Sequence, residues 1–312
     1  MTDGNAIKEA LGSMDAGRVF YDEKMSGHTS LKVGGSADAL IVIENEHQLV
    51  AVVRKLREKN IKFFTVGNLT NIIVRDGGYR GAVLLMTGMK DIQCRPLAGD
   101  NVLMAAMAGA SLAKVVSQSV AEELTGVEFC AGIPGSVGGA VWMNAGAYGK
   151  EMKDVIQEVD ILDTSSMKRV MSRDEIAFSY RHTDFPDRTI ILGARFKLVK
   201  GERAKIKERI NDIMKSRQEK HPLEYPSAGS VFKNLPGMPA GKIIEDMGLK
   251  GTVIGGAEIS PRHANFIINR GGATAADILG LIELIQFRAR KEKGVALETE
   301  VVIIGENECS EK

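Results

Sequence analysis

Ala131-Gly132-Ile133-Pro134-Gly135-Ser136-Val137-Gly138-Gly139-Ala140, followed by Met143-Asn144-Ala145-Gly146-Ala147-Tyr148-Gly149, is the most informative stretch of this chain. Its glycines stand at 132, 135, 138 and 139, which is not the GxGxxG spacing, and no strand with a following acidic residue frames it as a Rossmann fingerprint would. No Gly-Lys-Ser/Thr follows, so it is not a P-loop either. Closely spaced glycines let backbone N–H groups point into one concavity, where a diphosphate can sit without a Cβ in the way. A set of tight turns between strands accounts equally well for this segment taken alone. A second Gly/Asn loop at a strand end, Gly67-Asn68-Leu69-Thr70-Asn71, tips the reading toward a dinucleotide clamped between two subdomains.

The surrounding chain supplies both kinds of element. Ala39–Ile43 reads as a short apolar strand. Asn45 and Gln48 then suit a helix start, with Leu49, Val52, Val53 and Leu56 on one face. Strand 61–67 enters the loop and strand 72–74 leaves it, before Asp76-Gly77-Gly78 breaks the chain. From about 83 to 200 short strands dominate (83–86, 102–106, 155–162, 189–199), with one helix over 112–123. Residues 202–220 read as a charged amphipathic helix with Ile206, Ile210, Ile213 and Met214 inward. In the last third, Thr274 and Asp277 open a helix whose buried stripe is Ile278, Leu281, Ile282, Ile285 and Ala289, and Gly294 stops it. A last strand is expected over 300–304. The class is α+β, with one unit over 1–200 (subdomains about 1–88 and 89–200) and a C-terminal unit over 201–312.

Composition removes other classes. A formal net charge of +1 gives no electrostatic case for nucleic acid or an anionic membrane. Cys94, Cys130 and Cys309 are odd in number and lack ligand spacing, so reduced thiols are expected, with no disulfide frame and no metal site. No apolar run approaches the roughly 20 residues of a spanning helix, and the N-terminus lacks a signal-peptide stretch. A cytoplasmic protein is the expectation that follows, and separately a monomer is expected.

The loop segment 132–149 resembles the flavin-binding signature of the UDP-N-acetylenolpyruvoylglucosamine reductases. Further motifs join it in family order: Gly34-Gly35-Ser36-Ala37-Asp38, Ser179-Tyr180-Arg181-His182, Ala228-Gly229-Ser230-Val231-Phe232-Lys233-Asn234, Ala240-Gly241-Lys242-Ile243-Ile244-Glu245 and Leu297-Glu298-Thr299-Glu300-Val301. Each motif is weak, but the ordered set is specific. The resemblance implies a two-subdomain FAD-binding fold of the vanillyl-alcohol-oxidase (PCMH) type, followed by a smaller α+β substrate domain. It implies that FAD is held by Gly67, Asn68, Thr70, Asn71, Ile72, Gly132, Pro134, Gly135, Ser136, Gly138, Gly139, Asn144, Gly146 and Ala147. With no His or Cys in 67–71, the attachment is expected to be non-covalent. The short linker 235–239 resembles the subgroup without the extra tyrosine loop.

The implied reaction is NADPH-dependent reduction of UDP-N-acetylglucosamine enolpyruvate: hydride reaches C3 through the flavin, and C2 is protonated. That chemistry needs a cation at the substrate carboxylate and a proton donor at C2. By resemblance these are Arg181, suited to bidentate carboxylate binding, and Ser230, whose placement matters more than its acidity. Glu300 is the second acid, neutral by burial. Glu298, two residues away, is expected to face the same side of one strand. Tyr180, Lys233 and Asn234 are candidates for the UDP diphosphate or sugar. No separate dinucleotide fingerprint exists for NADPH, so one pocket is expected to take the two substrates in turn. Leu69 departs from the glycine usual in the family, close to where a diphosphate would lie. A flavin-dependent sugar or alcohol oxidoreductase of the same fold, or a non-catalytic nucleotide-sugar binder, are the alternatives.

Overall fold

The computed structural model describes residues 3–12 and 14–308; Cys309 lies outside them. The chain begins with α1 (Asp3–Leu11), β1 (Arg18–Lys24), β2 (Ser36–Val42), α2 (Glu46–Glu58), β3 (Phe63–Val66), β4 (Ile72–Val74) and β5 (Tyr79–Leu85). Asn45 caps α2 by accepting from the Gln48 N–H at 2.9 Å. The Gln48 side chain reaches back to the N–H of Glu44 rather than to that of Asn45. Four strands form one sheet in the order β1-β2-β5-β3, with β5 parallel to both β2 and β3. β4, the strand read over 72–74 after the loop, lies outside that sheet. It pairs in parallel with the last strand of the chain, β19 (Val302–Ile304).

The second layer holds β6 (Ile92–Pro96), β7 (Asn101–Met107), α3 (Leu112–Ala121), β8 (Leu124–Thr125), α4 (Val137–Trp142), β9 (Gly146–Ala147), β10 (Lys150–Glu151), β11 (Ile156–Leu162), β12 (Lys168–Ser172), β13 (Ala177–Ser179), β14 (His182–Asp184) and β15 (Ile190–Lys200). An antiparallel sheet runs β12-β11-β15-β7-β6, with β8 beside β15. α4 lies inside the glycine-rich stretch, where sequence suggested only loop.

α5 (Arg203–Lys220) follows. Its Ile213 lies in the core of this second layer, with Ile210 and Met214 packed against it. The remaining part comprises α6 (Ala240–Asp246), β16 (Val253–Ile254), β17 (Ala257–Ile259), β18 (Ile267–Asn269), α7 (Ala275–Arg288) and β19. A full capping box of Thr274 and Asp277 starts α7, and Gly294 at φ 66° ends the turn that extends it. The core of this part also takes in Leu31, Val33 and Ile73 from the N-terminal region. Among the described residues no helix is long and apolar enough to cross a membrane.

Candidate active site

Loop 67–71 connects β3 to β4 and therefore passes from one sheet to another. It is stapled to the glycine-rich loop in two places. The Thr70 hydroxyl donates to the Pro134 carbonyl at 3.0 Å. At Gly67 a Cβ would fall 1.9 Å from the Ser136 Oγ, so only glycine lets the loops meet. Gly138 donates to the Ala108 carbonyl at 2.8 Å, so its N–H is spent inside the fold. Leu69 keeps the left-handed backbone of a glycine, φ 49°, while its side chain is 3% exposed among Val66, Val74 and Val83. The departure from glycine therefore fills the core beneath the loop.

Ser136 is 2% exposed, and its hydroxyl neither caps α4 nor meets any other partner. Buried hydroxyls seldom stay unpaired, so an orphan beside a glycine-lined concavity fits a polar ligand such as a diphosphate. The concavity is a cleft of about 750 Å³, within the roughly 300–1,000 Å³ of ligand pockets. Gly67, Asn68, Thr70, Asn71, Ile72, Pro134, Gly135, Ser136, Gly138, Gly139, Gly146 and Ala147 all line it. The residues present thus suit a bound dinucleotide.

Arg181, Ser230 and Glu300 line the same cleft. Arg181 sits in the two-residue turn between β13 and β14 at φ 54°, an uncommon backbone for arginine. Its Nη2 donates to the Gly146 carbonyl at 2.9 Å. Its Nε lies 2.9 Å from Glu300 Oε1, but the N–H does not align with that oxygen. The contact is an ion pair that leaves a donor unused. Burial raises the Glu300 pKa, and Arg181 opposes the rise only in part. Ser230 is brought close through its neighbour: the Val231 carbonyl accepts from the Glu300 N–H at 2.7 Å. A cation, a hydroxyl and a carboxyl whose pKa burial raises thus line one cleft together with the two glycine loops.

The chain matches the FAD binding domain over residues 37–169 and the UDP-N-acetylenolpyruvoylglucosamine reductase C-terminal domain over 221–304. It is 47% identical to the UDP-N-acetylenolpyruvoylglucosamine reductase of Syntrophus aciditrophicus, over 96% of both chains. To the reductase of that name from Caldanaerobacter subterraneus it is 44% identical, over 96% of this chain and 97% of the other. The crystal structure of UDP-N-acetylenolpyruvylglucosamine reductase from Thermus caldophilus superposes with a TM-score of 0.78 at 32% identity, covering 92% of this chain and 98% of that one. The chain belongs to the UDP-N-acetylenolpyruvoylglucosamine reductase family. It is accordingly a flavin-dependent oxidoreductase that uses FAD, with the α+β flavin-binding architecture expected for it.

Not every expected residue of this reductase reaches the cleft. Gly132 packs under the Arg217 side chain instead. Asn144 is fully buried at φ 45°, donating to Glu151 and to the Ser179 carbonyl, at 2.9 Å each, and accepting from the Lys153 N–H at 3.0 Å. It holds the strand that leads into Arg181. The Tyr180 hydroxyl accepts from the Asn234 N–H at 3.4 Å, and Asn234 caps α6 through the Ala240 N–H at 3.0 Å. Lys233 pairs with Glu298 at 3.1 Å. Glu298 and Glu300 do not face one side: the Glu298 side chain is 74% exposed and that of Glu300 15%. Residues 297–299 are not regular strand, so the two-residue alternation does not apply there.

Sequence reasoning missed the end of α5. Ser216, Arg217, Lys220 and His221 line the cleft, as do Trp142, Tyr148 and Phe266. Burial lowers the Arg217 pKa, yet a guanidinium remains charged. Burial, and then Arg217, push His221 down to about 4, so its imidazole is neutral near pH 7. The signal available was two cations, Arg217 and Lys220, one turn apart in a helix that ends beside the Ser230 segment.

Proposed function

We propose that this reductase converts UDP-N-acetylglucosamine enolpyruvate to UDP-N-acetylmuramate, with NADPH as reductant, in peptidoglycan precursor synthesis. The observation that carries the proposal is the convergence of Arg181, Ser230 and Glu300 on a cleft walled by the two glycine loops. Bound FAD, non-covalent because loop 67–71 offers no His or Cys, supplies hydride transfer from NADPH to C3 of the enolpyruvyl group. Gly67, Asn68, Thr70, Ile72, Pro134, Gly135, Ser136, Gly139, Gly146 and Ala147 would hold it, whereas the Asn71 side chain is spent on the Glu300 carbonyl.

Arg181 binds the enolpyruvyl carboxylate with its unused N–H and stays charged as negative charge spreads into it. Glu300 in its protonated form donates a hydrogen bond to the same group, a form that burial favours and Arg181 opposes. Ser230 passes its hydroxyl proton to C2 and regains one from solvent. Arg217 and Lys220 are the cations for the substrate diphosphate, and Tyr180, Lys233 and Asn234, outside the cleft lining, would meet the sugar nucleotide where it extends beyond the cleft. NADPH leaves as NADP before the sugar nucleotide enters the shared cleft.

The packing of α5 on the second core favours moving the start of the substrate domain from 201 to about 221. A monomer is the expected state, and its nucleotide substrates suit the cytoplasm. The test is an absorption spectrum of the purified protein, then NADPH oxidation with and without the enolpyruvyl sugar nucleotide. A colourless protein, or oxidation indifferent to that substrate and releasing hydrogen peroxide, sinks the proposal.

A further inference from the structure

The Asn71 side chain is not free to serve the flavin. Its Nδ2 donates to the Glu300 carbonyl at 2.9 Å and lies 3.1 Å from the Met143 sulfur. A carbonyl acceptor fixes which end of the amide is nitrogen, because the amide oxygen cannot donate. The Asn71 carbonyl accepts from the Val302 N–H at 2.9 Å, two residues beyond Glu300. On its other side Glu300 is held by its N–H on the Val231 carbonyl at 2.7 Å, next to Ser230. The main chain at Glu300 is therefore strung between the loop that faces the flavin and the segment that carries Ser230.

We infer that Asn71 is a positioning residue for Glu300, registering the acid against Arg181 and Ser230 from the flavin side of the cleft. This rests on the proposed reaction and adds to it a residue that acts only in the second half. Catalytic groups misplaced by about 1 Å can cost on the order of 10²-fold in rate. Glu300 sits outside the regular strand, where this side chain replaces the missing ladder hydrogen bond. Asn71→Asp keeps shape and volume but removes the donor and sets an oxygen against the Glu300 carbonyl.

The experiment measures three quantities for wild type, Asn71→Ala and Asn71→Asp, each loaded with FAD. They are the FAD dissociation constant, flavin reduction by NADPH in a single turnover, and flavin reoxidation by UDP-N-acetylglucosamine enolpyruvate. The expected result is reoxidation slowed about 10- to 100-fold in both variants, with NADPH reduction and FAD affinity within about threefold of wild type. If Asn71→Ala binds too little FAD to assay, Asn71→Asp alone decides. Equal slowing of both half-reactions, or FAD affinity lost while reoxidation stays normal, overturns the inference. Failure of wild type itself to be reoxidised by the enolpyruvyl sugar nucleotide overturns the proposed function instead.

Discussion

A carboxyl that must donate a hydrogen bond near neutral pH has to resist ionisation, and burial pushes Glu300 in that direction. Arg181 at 2.9 Å pulls the other way, so the balance rather than either partner sets the group. The folded pKa lies above the ordinary carboxylate value. The stability that Glu300 contributes is therefore complete below its unfolded pKa and fades as pH rises through the folded one. Two consequences follow at this scale. Reoxidation by the enolpyruvyl substrate should fall along its alkaline limb as Glu300 ionises. Glu300→Gln, which cannot ionise, should gain melting temperature relative to wild type on going from pH 4 to pH 8. A difference in Tm that stays flat across that range would mean Glu300 is not held neutral. Ser230→Ala belongs beside it. NADPH reduction of the flavin should continue at nearly wild-type rate, while substrate reduction drops by about 10²–10⁴-fold, the usual contribution of a proton-transfer group. Stopped-flow measurement of each half-reaction separates these, and equal slowing of both would remove Ser230 from its role.

At the scale of the element, the 67–71 loop exposes what sequence can and cannot reveal. Leu69 looked like an intrusion toward a diphosphate, because only its identity was readable. The left-handed φ of 49° turns the side chain into the core instead. A left-handed residue bearing a Cβ costs about 1–2 kcal/mol, whereas truncating a buried leucine to alanine costs about 2–5 kcal/mol. Packing wins, so Leu69→Gly should destabilise even though it restores the family residue. Leu69→Ala loses the packing and keeps the strain, so it should destabilise more than Leu69→Gly. Urea denaturation of the two variants checks the order, and the reverse order would mean the backbone there is unstrained. The capped helices α2 and α7 were legible because caps and apolar stripes are local signals. α4 was not, since Gly138 and Gly139 mask a single short turn that Ala108 and Ala110 anchor from outside. β4 was legible with its observed bounds, but its partner was not, because β19 lies at the far end of the chain. The same distance hid the split between Glu298 and Glu300.

Over the whole molecule, the cores are separate but the chain crosses between them repeatedly. Leu31, Val33 and Ile73 enter the C-terminal core, and β19 returns to pair with β4 at the flavin loop. The resemblance implies a last strand returning toward the flavin, but no local signal in the sequence names β4 as its partner. The structure shows one more crossing. Asp76, just past β4, caps α7 from a distance of about 200 residues, accepting from the Ala275 and Ala276 N–H groups at 2.8 Å each. A carboxylate at a helix N-terminus satisfies orphan donors and opposes the positive end of the helix dipole. Thr274 and Asp277 already cap the same helix from within, so α7 does not depend on Asp76 to form. What Asp76 adds is the seat of α7 against the flavin-binding half. Replacing an N-cap side chain by alanine costs about 0.5–2 kcal/mol, and Asp76→Ala should fall in that range by chemical denaturation. Asp76→Asn keeps one of the two acceptor oxygens and turns an NH2 toward the other N–H, so it should recover only part of the loss. Amide hydrogen exchange should quicken at Ala275 and Ala276 and along β4–β19 in Asp76→Ala, while α2 and its sheet remain protected. Uniform loosening across all the cores would instead mean that the halves unfold as one unit, with Asp76 no more than a local cap.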